Sequence, residues 1–489
     1  MPETFRYLNQ SPAELVTPLE MDGEEFRAQL AKVTDRLADY LDTLPDQPAW
    51  NVEGSAESAN VMKQSAPAAG RELDDVLQEL FDQLHAGFNP ASPGYLAFVP
   101  GGGLPLSSLG SLVADIVNRF VSVWIAAPWL AQIETSVVRW FCDLIGYDGK
   151  AGGYLATGGS MANWTAIVTA RRCCLPDDFL RGTIYVSDQV HHCVNKAAVL
   201  AGFPADNVKV VRSDNQFRID TADLRRRIES DRHNEMQPFA IVGSAGTTNT
   251  GAVDDLNELA NIAQGESMWF HVDAAYGGFF VLTDRGKLRL AGIERADSVT
   301  LDPHKGLFLP FGCGCLLVRE FDSLRRAHHV HADYLPDMQQ VDDRVDFCDV
   351  SLELSRNVRG LQVWLPVQVH TWQPFRDSLN EKLDLTQWAW KQLMEMSKQL
   401  NGQLEVINQP ELSTIAFRLH PDGLDDEAQL QRLNERFRES INASKQFFLT
   451  PTLLADRYVI RICILSFRTH AAHVEACLQA IWRASHEML

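Results

Sequence analysis

The chain reads as an α/β protein: a mostly parallel seven-stranded sheet in a large domain, a helical N-terminal arm before it and a small C-terminal α/β domain after it. Three observations predict this. Apolar residues recur at helical spacing through residues 1–90. Short β-branched runs alternate with helical stretches through 91–370. A long helix and two more strand-like runs occupy 371–489.

In the N-terminal arm, Phe26, Leu30, Val33 and Leu37 recur at steps of three and four, as do Leu77, Leu80, Phe81 and Leu84. Between them, Pro45 to Gln64 is polar and predicts an irregular stretch. An arm of this kind rarely folds alone, so it is expected to pack on another subunit. The central region offers seven strands: Gly153–Ala156, Thr183–Ser187, Val208–Val211, Ala240–Gly243, Trp269–Val272, Ser298–Leu301 and Cys313–Val318. Helices such as Met161–Arg172 and Asp254–Gly265 fall between several of them. Such a sheet is covered on both faces, and its ligands lie at the carboxyl ends of the strands. The C-terminal region offers a helix over Ser378–Leu400, strands at Thr414–Arg418 and Tyr458–Leu465 around a helix Asp426–Asn442, and a last helix His473–Glu487.

The 489 residues, 45% of them hydrophobic, exceed one small core and suit two or three domains. Lys and Arg number 44 against 64 Asp and Glu, a net charge of −20. That surface repels phosphate backbones and anionic lipid, so nucleic acid and membranes are not expected partners. The nine cysteines show no C-x-x-C spacing and read as reduced thiols of a cytoplasmic protein. The polar start, Met1 to Glu20, lacks the basic and apolar runs of a signal peptide. No apolar stretch is long enough to span a membrane.

Five strand-end motifs carry chemistry. In His271-Val272-Asp273-Ala274-Ala275-Tyr276, an acid ends a buried strand. Such an acid needs a cation, and a pyridinium nitrogen is one. A capping or arginine-paired acid would look the same. In Asp302-Pro303-His304-Lys305-Gly306, a lysine follows the next strand, with a fixed backbone, a donor in His304 and an apolar run behind it. Burial there is expected to lower its pKa, as imine chemistry requires; alone, it would pass for a solvated lysine. Thr157-Gly158-Gly159-Ser160-Met161-Ala162-Asn163, between a strand and a helix, suits an anion, or a plain capped turn. Ser187-Asp188-Gln189-Val190-His191-His192 offers an imidazole that could stack on a ring. Gly246-Thr247-Thr248 offers hydroxyls, as would any solvated turn.

Together and in this order, the five motifs resemble the group II pyridoxal-phosphate (PLP) decarboxylases, the family of aromatic L-amino acid, glutamate and diaminobutyrate decarboxylases. The resemblance runs from about Tyr95 to Phe467 and takes in Ala126-Ala127-Pro128, Glu134-Thr135 and Ser355-Arg356-Asn357-Val358-Arg359-Gly360. It implies fold-type I, the aspartate-aminotransferase-like architecture, and a homodimer whose subunits share the active site. It implies pyridoxal 5'-phosphate as cofactor and an L-amino acid, aromatic first, as substrate. Lys305 would form the Schiff base and Asp273 would pair with the pyridine nitrogen. His191 would stack on the ring, with His192 a bystander. Gly159, Ser160 and Asp302 would lie at the phosphate, the last where relatives often have asparagine, with His304 beside Lys305. Thr248 and Ala275 would lie against the ring, and Phe98–Gly101 would shape the substrate pocket. Carbon dioxide would leave into the ring's π system, and the resulting quinonoid would be protonated to the amine.

Two positions depart from the family pattern. Aligning Ser355-Arg356 with the family's Gly-Arg-Arg places Phe347 where aromatic decarboxylases carry a loop tyrosine. A phenylalanine cannot donate a proton, and in this family it accompanies aldehyde synthesis. An aldehyde synthase is therefore an alternative to the decarboxylase, with Tyr334 the other candidate donor. Gly306 stands where animal aromatic decarboxylases carry tryptophan. No substrate-anion arginine stands out, and Phe98, Trp124 and Trp129 hint at an aromatic pocket. Acidic or diamino substrates remain alternatives. So do an aminotransferase, with Arg468 as carboxylate ligand, and a non-catalytic PLP-fold binding protein; the histidine motif argues against the first and the presence of Lys305 against the second.

Overall fold

The computed structural model describes residues 19–329 and 344–489. It divides into two compact units, one ending at Asn89 and one running from Pro90 to Leu489. In the first, helix Gly23–Thr43 starts on Asp22, whose carboxylate accepts the backbone N–H groups of Glu24 and Glu25. Its apolar stripe follows the expected spacing, yet none of its residues is buried. A second helix, Leu73–Gln83, carries the buried Leu77. The polar stretch expected to be irregular is partly regular. It holds a helix, Ser55–Val61, and strand β1 (Trp50–Asn51), which pairs with β2 (Gly87–Phe88).

The second unit is built on seven strands: β3 (Gly152–Ala156), β4 (Gly182–Ser187), β5 (Val208–Val211), β6 (Gln237–Ser244), β7 (Trp269–Asp273), β8 (Ser298–Leu301) and β9 (Gly314–Val318). Their order is β3-β9-β8-β7-β6-β4-β5. β8, β7, β6, β4 and β5 run parallel, and β9 lies antiparallel between β3 and β8. All seven strands read from the sequence are present. The central ones, β4, β7, β8 and β9, are buried at every residue, which is why they read as continuous runs rather than alternating ones. Successive side chains feed two cores on opposite faces: Ile241 and Leu317 join one, and their neighbours Val242 and Leu316 join the other.

Helix Gly159–Cys174 covers the second face, with Ala162, Ala166 and Ala170 small enough for close approach to the sheet. The parallel strands end at the turns that hold the candidate motifs. β3 is braced just before the glycine turn. Glu134 Oε1 accepts the Leu155 N–H at 2.9 Å and Arg356 Nη2 at 2.8 Å, and Arg356 Nη2 also donates to Leu155 O at 2.6 Å. Two outlying motifs of the sequence, Glu134-Thr135 and Ser355–Gly360, therefore meet at one strand.

A four-stranded antiparallel sheet follows: β10 (Leu404–Val406), β11 (Thr414–Leu419), β12 (Thr450–Leu454) and β13 (Arg457–Cys463), in the order β10-β11-β13-β12. The two inner strands are those read from the sequence. The two edge strands escaped it because β10 is three residues long and β12 contains Pro451. Helices Gln373–Gln399, Glu427–Asn442 and Ala471–Met488 pack around this sheet. Among the described residues, no helix is long and apolar enough to cross a membrane.

Candidate active site

A cavity of about 300 Å³ opens at the carboxyl ends of the parallel strands. Gly159, Ser160, His191, Thr248, Asp273, Ala275, Asp302, His304 and Lys305 all line it. Nine residues drawn from five separated motifs thus share one wall, as strand ends in a parallel sheet dictate.

Asp273 is the last residue of β7 and is 8% exposed. Its Oδ2 accepts from Asn163 Nδ2 at 2.9 Å and its Oδ1 from the Ala275 N–H at 3.2 Å. Lys305 lies on the single helical turn Pro303–Gly306 after β8. Its Nζ is 3.0 Å from Asp302 Oδ2. The expected fall in its pKa is not what the structure shows. Burial pulls the ammonium toward the neutral amine, but the Asp302 and Asp273 carboxylates outweigh it, and the pKa lies above the ordinary lysine value. His304 donates from Nδ1 to Cys313 O at 2.7 Å, which fixes the ring beside Asp302.

His191 caps helix His192–Leu200: its Nδ1 accepts the Cys193 N–H at 3.3 Å. The neutral ring therefore carries its proton on Nε2. Burial holds its pKa below the ordinary histidine value. His192 is exposed, its ring tilted 45° to that of His191 with centroids 4.3 Å apart, and does not line the cavity.

The cavity suits a pyridoxal phosphate. Asp273 offers an acceptor for a ring N–H⁺, Lys305 an amine, and the start of the 16-residue helix Gly159–Cys174, free of any side-chain cap, an anion site. The approach is close enough to require glycine. A Cβ on Gly159 would stand 2.9 Å from Asp302 Oδ2 and 3.2 Å from the Ala275 Cβ. Asp302, in the cavity wall, also keeps a buried Oδ1 with no hydrogen-bond partner among the described residues.

Other expected residues fall elsewhere. Phe347 is fully buried in the core on the helix Gly159–Cys174 side of the sheet, beneath the Arg356 guanidinium at 4.4 Å. It does not line the cavity. Tyr334 lies outside the described residues. Phe98, Trp124 and Trp129 do not line the cavity either; Trp129 is 74% exposed. The Phe98–Gly101 segment nevertheless abuts the Lys305 turn, since a Cβ on Gly101 would meet His304 O at 2.0 Å. Arg468 donates to the carbonyls of Gly102 and Gly103 and does not line the cavity.

Sequence reasoning passed over three features. Asn163 and Cys193 line the cavity floor, joined by an Asn163 Nδ2 to Cys193 Sγ contact of 3.2 Å. Tyr276 lines it too, its hydroxyl tied to Ser413 at 2.7 Å. Arg461, on β13, is 3% exposed, and its Nε and Nη2 find no partner among the described residues. Only a fold that brings β13 toward Tyr276 could reveal it.

A family model for the pyridoxal-dependent decarboxylase conserved domain matches residues 56–420. The chain is 32% identical over 456 residues to an aromatic-L-amino-acid decarboxylase of Bacillus atrophaeus, covering 92% of this chain and 93% of that one. It superposes on the Catharanthus roseus tryptophan decarboxylase in complex with L-tryptophan with a TM-score of 0.87 and 25% identity, over 96% of this chain and 100% of that one. The Rhodiola rosea 4-hydroxyphenylacetaldehyde synthase shares the fold at a TM-score of 0.85 and 23% identity, over 96% and 99% of the two chains.

Proposed function

Because the chain belongs to the pyridoxal-dependent decarboxylase family, we propose that it decarboxylates an aromatic L-amino acid to its amine. The observation that carries this reading is the meeting of Lys305, Asp273, His191 and the Gly159-Ser160 helix start in one cavity. Bound pyridoxal phosphate supplies the electron sink for the pair left when carbon dioxide departs.

The chain's own groups do the rest. The N–H groups at Gly159 and Ser160 hold the phosphate at the helix start. Asp273 holds a proton on the ring nitrogen. Lys305 would hold the cofactor through its amine, and Asp302, 3.0 Å away, pairs with that amine while it is still an ammonium. His191, whose Nε2 carries the proton, would stack on the ring and offer that N–H to the substrate carboxylate. Ala275 and Thr248, which also line the cavity, would lie against the ring. The proton returned to the α-carbon would come from His191 or Lys305, which both line the cavity.

Charge argues against an acidic substrate. Among the described residues, Lys305 is the one fixed cation lining the cavity, and it is paired with Asp302. An acidic substrate side chain would meet two carboxylates and no free cation. A homodimer is part of this reading. Helix Pro105–Val117 and the segment after it present Leu109 (52% exposed), Val113 (51%), Ile116 (60%) and Trp129 (74%), an apolar row that a second subunit would cover. The free cysteines fit a reducing, cytoplasmic setting.

The test is a substrate panel with the PLP-loaded protein. The kcat/KM for L-tryptophan, L-tyrosine or L-DOPA should exceed that for L-glutamate and L-2,4-diaminobutyrate by about 100-fold or more. A preference for either non-aromatic substrate would overturn the assignment. Light scattering should give twice the chain mass.

A further inference from the structure

The floor of the cavity carries a hydrogen-bond chain that no step above uses. Trp269, His271 and Asp273 alternate along β7 and share a face. Ser298 and Thr300 stand opposite His271 and Asp273 on β8. Helix Gly159–Cys174 lowers Asn163 onto this face. Trp269 Nε1 lies 2.8 Å from Ser298 Oγ, and Ser298 Oγ lies 2.8 Å from His271 Nδ1. His271 Nε2 lies 2.9 Å from Asn163 Oδ1, which Thr300 Oγ1 also meets at 2.7 Å. Asn163 Nδ2 then reaches Asp273 Oδ2 at 2.9 Å. All six residues are buried.

The chemistry of the donors fixes the direction. Asp273, as a carboxylate, only accepts, so the Asn163 amide must turn Nδ2 toward it and Oδ1 away. That oxygen needs donors, so His271 must carry its proton on Nε2. His271 Nδ1 is then an acceptor and takes the Ser298 hydroxyl proton. Ser298 Oγ in turn accepts from Trp269, whose indole N–H can only donate. Burial pulls the His271 imidazole down to about 4, which keeps it neutral and preserves this single arrangement at neutral pH. Any other tautomer or amide flip sets two acceptors face to face in a dry core.

We propose that Asn163 and His271 are positioning residues, the working end of a one-way relay from Trp269 through Ser298 that locks the Asp273 carboxylate for the cofactor's ring nitrogen. The inference rests on the reading that Asp273 meets that nitrogen. The relay spends two of the carboxylate's acceptor sites on fixed N–H groups, from Asn163 and Ala275, and leaves the rest for the cavity. A rotation of Asp273 would have to break the whole chain. This is the arrangement that outer ligands give a metal-bound imidazole, here serving an organic cation.

The experiment compares His271→Leu with His271→Gln, since a glutamine can still offer an N–H to Asn163 Oδ1. PLP affinity is read by titrating the visible absorbance of the bound cofactor, and the pH midpoint of that band is recorded. Circular dichroism of the cofactor-free proteins checks folding. His271→Leu should weaken PLP binding about 10-fold and move the pH midpoint by about one unit, and His271→Gln should return both to within about 3-fold and 0.5 unit of the parent. A folded His271→Leu with unchanged affinity and midpoint overturns the relay. Equal damage in the Leu and Gln proteins overturns it as well, because bulk packing would then explain both. Should His271→Leu not fold, Ser298→Ala decides, with an unmoved midpoint counting against the relay. A parent protein that develops no PLP-dependent visible band would sink the cofactor reading itself, and the relay with it.

Discussion

Lys305 Nζ stands 3.0 Å from Oδ2 of Asp302, a carboxylate that is itself 2% exposed. The pairing keeps the lysine protonated against the pull of burial. A nucleophilic amine must be free of its proton, so the same contact that orders Lys305 also restrains it.

Replacing Asp302 by asparagine should release that restraint. With its nearest carboxylate gone, Lys305 should lose its proton at lower pH, and PLP capture should become fast at a lower pH than in the parent. Removing an anion from the cavity wall should also tighten PLP binding. Stopped-flow absorbance across pH 6 to 10 measures the rate, and an unshifted profile would show that Asp302 does not govern the lysine.

The brace at β3 predicts a stability effect. Arg356 and Glu134 have side chains 0% and 2% exposed and pair at 2.8 Å. Arg356→Met strands a buried carboxylate and should cost about 3–5 kcal/mol in urea unfolding. Because Arg356 also holds Leu155 O at the end of β3, PLP affinity should fall in the same protein.

Phe347 sits in a packed core rather than the cavity, so Phe347→Tyr should not supply a catalytic proton. It buries a hydroxyl among apolar neighbours and should destabilise the fold by about 1–3 kcal/mol. The ratio of amine to aldehyde should stay as in the parent. A large shift toward amine would place residue 347 at the reacting carbon after all.

His271 makes stability depend on pH with a definite sign. Its pKa falls from 6.5 to about 4 in the folded chain. Between those values the unfolded chain holds the extra proton, so stability is fully present above pH 6.5 and is lost as pH falls toward 4. The contribution is about 3 kcal/mol across that window. His271→Gln should flatten the stability–pH curve by that amount, read as urea midpoints of the cofactor-free proteins at pH 7 and 4.5.

Much of this was legible before any coordinates. The seven strands of the large sheet are short, apolar and buried on both faces, so they stand out against the helices between them. The residues expected at the cofactor line one cavity because each follows a strand, and parallel strand ends converge. What stayed hidden depends on contacts between distant segments. Asn163 and His271 lay inside quoted motifs, but only the β7–β8 register and the helix above them make a relay. The direction of the Lys305 shift hinges on a 3.0 Å contact that sequence does not contain. The alignment that gave Phe347 a catalytic place counted residues along a loop, whereas the core claimed the ring. The edge strands β10 and β12 take their register from their neighbours rather than from any run of their own.

The most direct measurement is the product balance of the PLP-loaded protein with an aromatic L-amino acid, recording amine, carbon dioxide, aldehyde, ammonia and hydrogen peroxide in one reaction. Carbon dioxide and amine should appear one for one, without peroxide, and Lys305→Ala should give neither. Aldehyde, ammonia and peroxide rising together would contradict the account and identify an oxidative synthase in its place.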